Sequence, residues 1–139
     1  MKNADYSGLS INSSSSVSVC ICSIKYNEIG IYVSNVCSLL VYGDFDDETK
    51  KTDITNNENF GIRAVHNARV SLRGYCTITG NTLMNISCGH GANCVDSCLN
   101  AINNVYPDCN VDYGGTSGYP PFYTGNKPNY YGSYVIKTL

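Results

Sequence analysis

At 139 residues the chain is long enough for one domain with a real core, and a formal net charge of −2 gives no reason to expect a nucleic-acid partner. No apolar run approaches the ~18 residues of a membrane span, and the opening Met1-Lys-Asn-Ala-Asp-Tyr6 lacks the apolar core of a signal peptide. Twelve tyrosines, no tryptophan and an abundance of Asn, Ser and Gly favour turn-rich β structure with a polar, hydrogen-bonding surface.

Eight cysteines in one chain of this length have two readings. In a secreted protein they imply disulfides; in a protein made and kept in the cytosol they are small apolar fillers or metal ligands. The sequence leaves that choice open.

After a polar lead-in, residues 8–11 and 17–24 alternate apolar and polar residues, joined by a Ser-rich bend. Period-2 alternation of β-branched residues predicts strands. A turn at Asn27-Glu28 leads into residues 30–33, and a bend at Ser34-Asn35 into residues 36–42. The segment 44–53 is a charged excursion carrying Asp44, Asp46, Asp47 and Glu48. The pattern then resumes at Ile54, runs through Gly61 to Val65, bends at His66-Asn67 and returns through residues 70–78.

Three of these stretches are versions of one another. Ile24-Lys-Tyr-Asn27-Glu28-Ile-Gly30-Ile31 reappears as Ile54-Thr-Asn-Asn57-Glu58-Asn-Phe-Gly61-Ile62, and in part as Ile78-Thr-Gly-Asn81-Thr82-Leu-Met-Asn-Ile86. Self-similarity at such a period means a repeat architecture, here roughly 22–24 residues per turn of a coil with one loop inserted at 44–53. Equivalent positions stack in such a coil. Ile24, Ile54 and Ile78 should form an inward apolar ladder, and Asn27, Asn57 and Asn81 a polar ladder at a bend, each amide bonding the next turn.

The Asn-x-x-Gly-Ile-x-Val pattern at 27–33, and its cousin at 57–64, resembles the parallel β-helix repeats of the pectate-lyase-like superfamily. The likeness covers about residues 8 to 90. It implies an all-β fold: a right-handed parallel β-helix of about three to four coils over residues 1–105, with an irregular C-terminal cap. The superfamily includes polysaccharide lyases and hydrolases, tailspikes, adhesins and inert shafts, so the resemblance selects no activity. The leading expectation is a structural and binding module of a virion fibre, tailspike or cell-surface protein, with a rigid shaft from stacked coils and specificity from loops. The partners implied are a glycan or cell-surface receptor, and sister chains in a homotrimer or a larger parent on which the coil stacks. The alternative is a polysaccharide lyase or glycoside hydrolase.

Beyond Ile86 the pattern fades. Val95, Cys98, Leu99, Ile102 and Val105 recur at helical spacing before Pro107, which predicts a short capping helix at about 93–105. The rival is a fourth coil, because Ile102 lies as far beyond Ile78 as Ile78 lies beyond Ile54. Residues 106–139 are rich in Tyr, Gly and Pro and read as a loop-rich cap or interchain segment that ends in a strand at 134–137.

Four groups of residues could carry chemistry. Asp44, Asp46, Asp47 and Glu48 could serve as acid and base in glycoside hydrolysis or hold calcium, but the favoured reading is a solvated turn partly neutralised by Lys50 and Lys51. One of Arg63, Arg69 and Arg73 could act as the proton-abstracting base of a lyase; otherwise they pair with acids on a neighbouring coil. Cys88, His90, Cys94 and Cys98 could bind zinc, against disulfides or buried thiols as the alternative. Tyr119, Tyr123, Tyr130 and Tyr131 could stack on sugar rings, or pack the cap. No cofactor is required by any motif, and His66 is read as a structural residue at a bend.

Overall fold

The computed structural model describes residues 6–100, 102, 105–107 and 134–137. Within them the chain is all-β. A first cycle comprises β1 (Ser7–Ile11), β2 (Ser16–Cys20) and β3 (Ser23–Lys25), and a second β4 (Ile29–Val33), β5 (Ser38–Tyr42) and β6 (Thr52–Thr55). A third comprises β7 (Phe60–Ala64), β8 (Arg69–Gly74) and β9 (Cys76–Thr79). Then follow β10 (Met84–Cys88), β11 (Asn93–Cys98), β12 (Val105–Pro107) and β13 (Tyr134–Lys137).

Each cycle contributes one strand to each of three sheets. The first sheet runs β1-β4-β7-β10-β12, the second β13-β11-β8-β5-β2 and the third β3-β6-β9, and the neighbours pair in parallel. Parallel sheets need their inner face covered, and here the three cover one another. Ile24, Ile54 and Ile78 are in register in the third sheet and buried, as the repeat predicted. Ile31, Ile62 and Ile86 stack in the first sheet, and Leu39, Val70 and Cys94 in the second. Each fully buried isoleucine contributes about 1.5–3 kcal/mol relative to exposure.

The asparagine ladder is also present. The Asn27 backbone N–H and Nδ2 both donate to Asn57 Oδ1, at 3.1 and 3.3 Å, and Asn57 makes the same pair of bonds to Asn81 Oδ1. Asn81 then turns to Asn85 within its own cycle. Gly30 and Gly61 sit where neighbouring cycles press close together, since a Cβ on Gly30 would clash with Gly61 O and meet Asn57 Nδ2 at 2.9 Å.

Two sequence expectations need correction. Residues 93–98 are not part of a helix; they form β11, in parallel register with β8 from Asn93↔Arg69 to Cys98↔Gly74. Cys94, Asp96 and Cys98 point inward, and Val95 and Ser97 outward, so the true period is 2. The excursion is also shorter than 44–53, because Thr52 and Asp53 already belong to β6. Thr52 is buried and its hydroxyl donates to Tyr42 O at 2.7 Å, closing the base of the loop.

No disulfide joins the cysteines among the described residues. Cys37, Cys76, Cys88, Cys94 and Cys98 fill the interior, while Cys20 and Cys22 are exposed. The expected strand at 134–137 is present as β13.

Candidate functional site

The acidic excursion is built from its own hydrogen bonds. Asp44 Oδ1 accepts from the N–H groups of Asp46 and Asp47 at 2.8 and 2.9 Å. Asp47 Oδ1 accepts from the Thr49 hydroxyl at 2.6 Å and its N–H at 2.9 Å. Asp44 is held below the usual carboxylate value mainly by those two backbone N–H groups, and Asp47 mainly by the Thr49 hydroxyl. Both are therefore carboxylates that shape a turn. Lys50 lies 4.0 Å from Asp47, an exposed pair of little energetic weight. Glu48 borders a hollow of about 620 Å³ beside the third sheet, with Lys51, Tyr75, Thr77 and Asn100.

The three arginines are close in sequence and separated in space. Arg63 lies on β7 in the first sheet, whereas Arg69 and Arg73 lie on β8 in the second. No ion pair among the described residues joins any of them to the acidic loop; the pairs there are Lys50–Asp47 and Lys51–Asp53. Arg73 stands nearest the base of the loop by backbone pairing, where the Gly43 N–H donates to Arg73 O at 3.1 Å.

The zinc candidates are likewise dispersed. Cys88 is buried in the first sheet, Cys94 and Cys98 are buried in the second, and His90 is exposed at the turn between them. Among the described residues no three His, Cys, Asp or Glu side chains converge as a metal site would need. The Cys98 thiol is hydrogen-bonded to Cys76, which raises Cys98 and lowers Cys76. Tyr119, Tyr123, Tyr130 and Tyr131 lie outside the described residues.

What the fold does assemble is a groove of about 330 Å³ along the outer face of the first sheet. In that sheet Ser10, Tyr32, Arg63 and Ser87 stand in one register row across β1, β4, β7 and β10. Ile31, Ile62 and Ile86 point inward from the adjacent positions, so the row points out. Tyr6 meets Tyr32 edge to face, with ring centroids 6.0 Å apart. The Arg63 guanidinium lies 5.1 Å from the Phe60 ring centre and donates to the Ser87 hydroxyl. At the start of the strands Asn59 Nδ2 donates to Glu28 Oε1 at 3.1 Å. At their far end His66 and His90 stack with centroids 5.1 Å apart and planes 16° from parallel.

From Asn59 to His66 the groove follows the strand for about 20 Å. Aromatic faces, an amide–carboxylate pair, a guanidinium and two imidazoles line it. Aromatic rings suit the C–H faces of sugars, and the polar groups suit hydroxyls and acidic substituents. The sequence reading held Arg63 as a lyase base or an ion-pairing surface residue and His66 as structural. The missed signal was periodic: His66-Asn67-Ala68 returns as His90-Gly91-Ala92. His66 and His90 both have positive φ, at 52° and 50°, which fixes the same turn twice and stacks the rings.

No family model, curated protein or solved structure matches the chain.

Proposed function

We propose that the three sheets form a right-handed parallel β-helix, and that the chain is a structural and binding module of a virion fibre, tailspike or cell-surface protein that grips a glycan. The observation that carries this reading is the groove on the first sheet, where Tyr32 on β4 stands beside Phe60 and Arg63 on β7 of the next cycle, and His66 and His90 close one end. Stacked cycles hold these side chains rigidly at the strand spacing, which limits the entropy lost on binding an extended chain. Among the described residues β1, β2 and β3 each pair on one side only, and stacking of these open edges on a parent or sister chain belongs to the same reading.

The test is a glycan microarray probed with the wild-type chain and with Tyr32→Ala and Phe60→Ala. Binding to a defined set of glycans that weakens at least ~10-fold in both variants supports the reading. Absence of saccharide binding, or binding indifferent to both substitutions, contradicts it.

A further inference from the structure

The second sheet carries a different surface. Arg69 and Arg73 both project outward from β8, and both are exposed. They stand four positions apart along the strand, about 13 Å. Neither guanidinium has a carboxylate partner among the described residues. Asp96 on the neighbouring strand β11 is buried on the inner side, and Asp44 and Asp47 accept hydrogen bonds within their own loop. Between the arginines runs an open trough of about 370 Å³, with Ser18, Leu40 and Ser71 in one register row and Ser16, Ser38 and Arg69 in the next.

We infer that this trough binds a sulfated polysaccharide, with a sulfate half-ester on each of Arg69 and Arg73 and the sugar between them resting on Leu40 and the serine hydroxyls. Guanidinium forks match the planar presentation of two anionic oxygens, and such charge-assisted bonds are about twice as strong as neutral ones. Hydroxyls at the trough floor exchange donors and acceptors with a hydroxylated chain. The formal net charge of −2 argues against a general polyanion binder, which draws its affinity from many cations. A single-stranded nucleic acid also wants a series of aromatic stacking faces, and Tyr42 at one end of the strip is the one aromatic residue on the described strands β2, β5, β8 and β11.

The inference does not depend on the first-sheet groove, and the experiment keeps them apart. Immobilised dextran sulfate is titrated with the full chain, with unsulfated dextran and a single-stranded oligodeoxynucleotide as comparison surfaces. Wild type and Tyr32→Ala should bind dextran sulfate equally and ignore dextran. Arg69→Ala/Arg73→Ala should lose at least ~10-fold, and Arg69→Lys/Arg73→Lys should recover only part, since lysine keeps the charge without the fork. Circular dichroism of the exposed-site variants confirms folding. Undiminished binding by the double-alanine variant overturns the site, and equal binding of the oligonucleotide overturns the ligand class.

Discussion

Asn57 Nδ2 donates to Asn81 Oδ1 at 2.8 Å while Asn57 Oδ1 accepts from Asn27, so one buried side chain ties three successive cycles together. Its second Nδ2 bond reaches Ile24 O at 3.4 Å. Replacing it with alanine strands the Asn27 and Asn81 groups away from water. The expected loss for Asn57→Ala is roughly 2–4 kcal/mol by denaturant unfolding. Asn57→Asp should not rescue it, because a carboxylate has no donor for Asn81 Oδ1 and Ile24 O.

Gly30 tests the closeness of the cycles independently of hydrogen bonding. A methyl group there would meet Gly61 O, and Ile54 Cγ2 at 2.8 Å. Gly30→Ala should destabilise by roughly 1–3 kcal/mol, the usual range for overpacking. An alanine at this position that left the unfolding midpoint unchanged would mean that the cycles are farther apart than described.

Thiol chemistry reads the interior. Cys20 and Cys22 should react with a thiol reagent in the native state, while Cys37, Cys76, Cys88, Cys94 and Cys98 react only after unfolding. Partial burial is the main cause that raises the Cys22 thiol above its ordinary value, so its alkylation should be slow at neutral pH and quicken as the pH rises. Mass spectrometry of the alkylated peptides gives the order of labelling.

The acidic loop should keep its shape into mild acid. Asp44 and Asp47 have folded pKa values lowered from 3.8. A lowered folded value means that the loop's contribution is present above the unfolded pKa and is lost as pH falls through the folded one. The amide resonances of Asp46, Asp47 and Thr49 should therefore titrate below pH 3.8. Asp44→Asn keeps the accepting oxygen and should remove that transition from Asp46 and Asp47.

The ladders at Ile24, Ile54 and Ile78 and at Asn27, Asn57 and Asn81 were legible because repetition places equivalent residues one above another, and recurrence is visible in a single sequence. The strand at Asn93–Cys98 was not, because its inward positions hold Cys94, Asp96 and Cys98 while an apolar Val95 faces out. Its polarity runs against the usual alternation, and the apolar residues that remain fall at helical spacing. The arginines are spread over two sheets for a related reason. Arg63 and Arg69 are six positions apart, but the turn at His66-Asn67 carries the chain from the first sheet to the second. Sequence proximity in a coil disperses residues over different faces, while separation by one cycle brings them together. His66 and His90, and Tyr32 and Arg63, meet by that rule.

The most direct measurement is a two-dimensional amide NMR titration of the isotope-labelled chain with the best glycan from the microarray. The account predicts saturable shifts at Tyr32, Asn59, Phe60, Arg63, His66 and His90, with the loop amides from Asp44 to Lys51 unmoved. Shifts centred on Glu48, Tyr75, Thr77 and Asn100 instead would contradict it, moving the site from the first sheet to the hollow beside the acidic loop.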